Sequence, residues 1–149
     1  MMNFNGGDSM EKVIVSACLV GKNCKYNGKN NINEKIMEFL KDKEVILVCP
    51  EVMGGLTIPR LKSEILDGKV VNEKGEDVTA YFVSGAKIAL EEAKKNNVKL
   101  AILKEKSPSC GSKKIYDGKF NGTVINGSGI FASMLKEIGV KILTEEDFI

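Results

Sequence analysis

Val13-Ile14-Val15-Ser16-Ala17-Cys18 is an unbroken apolar run that ends in a loop rich in Gly, Lys, Asn and Tyr. The pattern returns at Val45-Ile46-Leu47-Val48-Cys49, which runs into Pro50-Glu51, and at Leu100-Ala101-Ile102-Leu103, ahead of Lys104-Glu105-Lys106-Ser107-Pro108-Ser109-Cys110-Gly111. Short continuous apolar runs rich in Val, Ile and Leu, rather than alternating ones, mark strands covered on both faces. The first is expected to span 12–20, the second 45–48 and the third 100–103.

The segments between them read as helices. Asn33 is an expected N-cap, followed by helical spacing of Ile36, Phe39 and Leu40 to about Lys43. Asp77 or Thr79 caps a long helix whose expected apolar face is Tyr81, Phe82, Ala86, Ile88, Ala89 and Ala93, ending near Asn97. A third helix runs from about Gly129 to Ile138 with Gly139 as its stop, and Val140–Leu143 is a last strand. Residues 50–66, with two prolines and Gly54-Gly55, are expected to be largely irregular. Residues 68–79 read as a small hairpin turning at Lys74-Gly75, and 113–126 as another around Asp117-Gly118. Strands alternating with helices imply an α/β fold: one domain over 12–149, a mostly parallel, Rossmann-like sheet with helices on both faces and small hairpin insertions. Residues 1–11 are expected to be a flexible N-terminal extension. In such sheets ligands bind beyond the C-terminal strand ends, the ends that carry Cys18, Cys49 and Cys110.

Composition narrows the chemistry. The 149 residues are 43% hydrophobic and 28% charged, ordinary for a soluble globular domain. A net charge of +2 provides no broad basic field for nucleic acid. No apolar run approaches the roughly 20 residues of a membrane span, and the first residues do not resemble a signal peptide, so a cytoplasmic location with no membrane partner is expected. Four cysteines in such a chain are not expected to be a disulfide framework. With no histidine, Ser–His and Cys–His pairs and His-rich zinc sites are excluded. Converging thiolates without imidazole describe a soft-metal or iron–sulfur site.

Around the thiols stand the candidate partners. Cys24, six residues after Cys18, is either a fourth ligand or a bystander. Four thiolates would close the site, whereas three would leave a metal open to substrate. Glu51, two residues from Cys49, is a candidate proton carrier. Gly54-Gly55 would admit a close-approaching ligand. Arg60 is the only arginine of the chain, and its planar fork offers geometry a lysine cannot copy. Glu64 is placed to orient Arg60 or bind substrate. Ser107 and Ser109 flank the third thiol as hydrogen-bond donors, and the glycine-framed Ser128 opens a helix whose amides would suit an anion.

The motifs SACLVG (16–21), VCPEVMGGLTIPR (48–60), SEI (63–65), KEKSPSCG (104–111), YDGKFNGTV (116–124) and the GxF helix start (129–131) together resemble the iron–sulfur thiouracil desulfidases, a family long known as a domain of unknown function. The resemblance covers nearly all of 12–149. It implies a [4Fe-4S] cluster held by Cys18, Cys49 and Cys110, with one open iron site that takes sulfur from a thiolated nucleobase while water supplies the replacing oxygen, without net redox change. It also implies that Glu51 and Ser107 are the acid–base residues, and it leaves Cys24 outside the required ligands. Where the family commonly has Tyr-Asp-Gly, this chain has Tyr26-Asn27-Gly28, so no proton-transfer role falls to Asn27. The expected substrate is thiouracil or a 4-thiouridine nucleotide, whose phosphate would meet Lys113, Lys114 or Ser128. A large RNA partner is not favoured. The alternatives are a sulfur-transfer enzyme acting on a tRNA or small molecule, and a non-catalytic metal or iron–sulfur binding module.

Overall fold

The computed structural model describes residues 10–149. Four strands, β1 (Lys12–Ser16), β2 (Glu44–Val48), β5 (Leu100–Leu103) and β8 (Lys141–Thr144), form one parallel sheet in the order β2-β1-β5-β8. In register, Ile14 faces Ile46 on one side and Ala101 on the other, and Ala101 faces Ile142. The two central strands are the sequence's most continuous apolar runs, and Val13, Ile14, Val15, Ala101, Ile102 and Leu103 are fully buried.

Alternate side chains of the central strands feed two cores. Ile14, Ala101 and Leu103 pack with Ala86, Ala89 and Ala93 of α3 (Thr79–Lys95) and with Phe131, Ala132 and Leu135 of α4 (Ile130–Glu137). Val13, Val15 and Ile102 pack on the opposite face with Leu19, with Ile36 of α1 (Glu34–Phe39) and with Leu40. Helices therefore cover both faces, as the sequence predicts. Asn33 caps α1 by accepting a hydrogen bond from the Ile36 N–H at 3.0 Å.

Several expectations change. β1 stops at Ser16, and Ala17–Val20 form a 3-10 turn closed by Gly21 at φ 96°, so Cys18 lies just beyond the strand. Residues 50–66 are irregular only in the middle: a short helix, α2 (Pro50–Met53), and strand β3 (Ser63–Leu66) stand at the two ends of the irregular stretch 54–62. The main hairpin pairs β3 with β4 (Lys69–Asn72) through Asp67-Gly68, while the Lys74-Gly75 turn carries only a single bridge, Val71 to Asp77. The second hairpin, β6 (Lys114–Tyr116) with β7 (Val124–Asn126), lies within the expected range. On α3, Tyr81 and Ile88 are each 46% exposed, and Gly85 is among the residues that face the core instead. The expected N-terminal extension lies, as far as residue 9, outside the described residues.

Gly54 and Gly85 have a packing role. A Cβ on Gly85 would lie 1.7 Å from the Pro50 carbonyl oxygen, and one on Gly54 would lie 2.0 Å from that of Tyr81. Backbone meets backbone here, so α2 rests directly on α3, and Gly54 admits a helix rather than the ligand expected from sequence. Gly85→Ala must push α2 away, and with it Cys49 and Glu51. A loss of about 3 kcal/mol is expected, at the upper end of ordinary overpacking because no side chain can yield. Urea unfolding followed by circular dichroism checks this, and an unchanged midpoint refutes it.

Candidate functional site

The C-terminal ends of β1, β2 and β5 open onto one cavity of about 300 Å³, and Cys18, Cys24, Cys49 and Cys110 all line it. Each of the three expected ligands arrives on a different local scaffold. Cys18 sits in the 3-10 turn, where the Asn31 amide donates to its Sγ at 3.3 Å. Cys49 is the N-cap of α2. Cys110, buried, belongs to a tight loop in which the Gly111 N–H donates to the Ser107 carbonyl at 2.8 Å.

That loop is built by Ser107. Its Oγ accepts from the backbone N–H groups of Ser109 (3.1 Å) and Cys110 (3.0 Å). With both lone pairs engaged, its own O–H remains free to donate, and Ser107 borders the cavity. The start of α4 fastens the loop from behind: Ile130 N–H donates to Pro108 O and Phe131 N–H to Ser109 O, each at 2.9 Å. These amides are therefore spent on the cysteine loop instead of an anion. Ser128 is not part of the cavity wall; its hydroxyl donates to Ser112 O at 2.8 Å and accepts from Lys136.

Glu51 lines the cavity and pairs with Arg60, Nε to Oε1 at 3.0 Å, with the side chains 17% and 7% exposed. Ser109, buried outside the lining, donates to the other Glu51 oxygen at 3.4 Å. The lone arginine also donates from Nη1 to the Thr57 carbonyl (3.2 Å) and from Nη2 to the Cys24 carbonyl (2.9 Å). Arg60 is thus a brace for the carboxylate and for the Cys24 loop. Glu64 does not orient it, because its Oε1 accepts from Gly118 N–H (3.0 Å) and Phe120 N–H (3.1 Å), tying down the loop between β6 and β7.

Two contributors escape sequence reading. Asn31 lies in a loop that reads only as a connector. Glu105, 2% exposed, accepts from the backbone N–H groups of Ser112 (2.5 Å) and Lys113 (3.1 Å), closing the chain around the Cys110 loop. A glutamate inside a Lys-Glu-Lys run resembles any surface charge, and no sequence signal separates it. Lys113 and Lys114 lie outside the cavity wall, and Lys114 pairs with Glu146. The wall carries Lys25, Lys62, Lys104 and Lys106 instead, and the Lys25 and Lys62 ammonium groups stand 5.8 and 6.0 Å from the centre of the Tyr26 ring.

The four thiols differ in acidity. Burial pushes Cys110 well up, partly offset by a hydrogen bond with Ser16, and burial also raises Cys18 against the Asn31 contact. Cys24 and Cys49 share a side-chain hydrogen bond, which holds Cys24 high and brings Cys49 down to about 7. In the metal-free chain, alkylation of Cys49 by iodoacetamide is expected to rise as pH climbs through about 7 and then level off, because the thiolate is the nucleophile. Cys18 and Cys110 should still be gaining reactivity above the ordinary thiol value of about 8.5. Peptide mapping across pH checks the order.

Among the described residues, no three Cys, Asp or Glu side chains close on a common point as the ligands of a single metal ion would. The donors instead are free thiols spread around one cavity, a soft set that fits a cluster of several irons better than one hard cation.

Fold and site define a small α/β domain whose parallel strands deliver thiols into a single cavity beside a buried carboxylate–arginine pair. The chain belongs to the 2-thiouracil desulfurase family, whose profile matches residues 13–147. It is 41% identical over 145 residues to protein YbbK of Bacillus subtilis (strain 168), covering 91% of this chain and 96% of that one. It is also similar to a solved [4Fe-4S]-dependent thiouracil desulfidase, TudS, with a TM-score of 0.87 and 40% identity over 92% of each chain. The family read from the motifs, and the α/β fold read from the alternation of strands and helices, are both borne out.

Proposed function

We propose that the chain is a [4Fe-4S]-dependent desulfidase that exchanges the sulfur of a thiolated pyrimidine for the oxygen of water, C=S + H₂O → C=O + H₂S, without net redox change. The observation that carries this reading is the presence of Cys18, Cys49 and Cys110 on one cavity wall with Glu51 and Ser107. The three cysteines would hold the cluster, which when bound supplies a soft, thiophilic iron centre. Glu51, kept in place by Arg60 and Ser109, takes a proton from the attacking water. Ser107, with its acceptor positions occupied by backbone, donates a hydrogen bond to the pyrimidine as charge develops there.

The substrate class is small, since the cavity of about 300 Å³ would also have to hold the cluster on Cys18, Cys49 and Cys110. Lys25 and Lys62 favour a nucleotide over the free base: both border the cavity, and neither forms a carboxylate pair among the described residues. Their charge suits a phosphate, and the Tyr26 ring holds both ammonium groups close together at the cavity.

The test is anaerobic cluster reconstitution, then incubation with 2-thiouracil, 4-thiouracil and 4-thiouridine monophosphate while thiocarbonyl absorbance and released sulfide are followed. Stoichiometric sulfide from the loaded protein alone is expected, fastest with the nucleotide. A stable cluster that turns over none of the three overturns the proposal and favours sulfur transfer.

The position of Cys24 on the same wall favours one second reading, a closed centre with four cysteine ligands and no catalysis. Cys24→Ala separates the two. We expect iron and acid-labile sulfide content to stay near the unsubstituted level, and loss of the cluster in this variant would establish the closed centre.

A further inference from the structure

Cys24 takes no part in the proposed reaction, yet it lines the cavity next to the cluster ligand Cys49. The Cys49 Sγ lies 3.8 Å from the Cys24 carbonyl oxygen, and both residues are half-buried on the cavity wall. This proximity is held from outside the pair, because the Arg60 guanidinium grips the same carbonyl at 2.9 Å. The other two ligand thiols have different neighbours: Cys18 is engaged by Asn31, and Cys110 sits behind the Ser107 loop.

We infer that Cys24 is a resolving thiol, which closes a reversible disulfide with Cys49 under peroxide whenever the cavity holds no cluster, and so preserves Cys49 for reloading. The chemistry balances as 2 RSH + H₂O₂ → RSSR + 2 H₂O. The Cys49 sulfur attacks one peroxide oxygen, the O–O bond breaks, and Cys49 becomes a sulfenic acid as one water leaves. The Cys24 sulfur then attacks that sulfur, the S–O bond breaks, and a second water leaves with the remaining proton. The two thiols give up two electrons and the peroxide accepts them. Without Cys24, the sulfenic acid remains open to a second peroxide and to irreversible sulfinic acid. This inference concerns the chain between cluster loss and cluster reloading, so it stands or falls independently of the substrate.

The sequence makes the test clean, because trypsin places each cysteine on its own peptide: 13–22, 23–25, 44–60 and 107–113. The full chain, metal-free and cluster-loaded, is treated with a small excess of hydrogen peroxide, trapped with a maleimide and mapped by mass spectrometry. The metal-free chain is expected to give one dominant cross-link, 23–25 to 44–60, reversed by dithiothreitol, and the loaded chain far less of it. After peroxide and dithiothreitol, the unsubstituted chain should reload iron to its untreated level. Cys24→Ser, and Cys24→Ala as an independent substitution, should reload several-fold less and carry sulfinic acid at Cys49. A dominant cross-link between any other pair, or equal reloading in all three proteins, overturns the inference.

Discussion

Replacing any one of Cys18, Cys49 or Cys110 by alanine is expected to reduce iron–sulfur loading to background and to abolish desulfidase turnover. The argument rests on where the thiols come from. Cys18 is set by a 3-10 turn after β1, Cys49 by the start of α2 after β2, and Cys110 by the Ser107 loop after β5. Three independent scaffolds cannot substitute for one another, because each thiol is carried by a different local element after a different strand. Folding should survive, since each change removes a single small side chain and costs on the order of 1 kcal/mol. Iron analysis and visible absorbance after anaerobic reconstitution, with circular dichroism as the folding control, decide the matter. A folded Cys→Ala variant at any of the three positions that still carries four irons would remove that residue from the ligand set.

The sequence was most legible where one physical pattern repeats. Three apolar runs ending near cysteines are enough to place a parallel sheet and the end of it that carries chemistry, because buried strands must be continuously apolar and ligands gather beyond their C-termini. Asn33 and Gly139 mark helix ends through local backbone chemistry, and such signals need no tertiary context. What could not be read depends on contacts between segments remote in sequence. Gly54 looks like a ligand-facing glycine until Tyr81 and Gly85 are placed against it. Glu64 and Arg60 look like natural partners at short range, but Arg60 turns to Glu51 and Glu64 reaches residues 118 and 120. The amides before α4 look available to an anion until the carbonyls of the Cys110 loop are seen to fill them. In each case the residue type was informative about its chemistry, and only the fold could name its partner.

Glu51→Gln is expected to lower turnover by about 10²- to 10⁴-fold while leaving cluster loading near the unsubstituted level. Glutamine is the useful replacement because it keeps the size of the side chain and an oxygen that can accept from Arg60 Nε. Glu51→Ala would strand a guanidinium that is 7% exposed, and unpairing a buried charge costs about 3–5 kcal/mol. Collapse of the Arg60 brace would then release the Cys24 and Thr57 carbonyls as well, confounding a catalytic effect with a structural one. Ser107 separates in a similar way. Ser107→Ala removes the donor and also the acceptor that holds the Ser109 and Cys110 N–H groups, whereas Ser107→Thr retains both functions. Turnover should fall in the first and return in the second. A glutamine variant with an unchanged rate would take proton transfer away from Glu51. It would leave that carboxylate as the anchor of Arg60, with the attacking water activated elsewhere on the cavity wall.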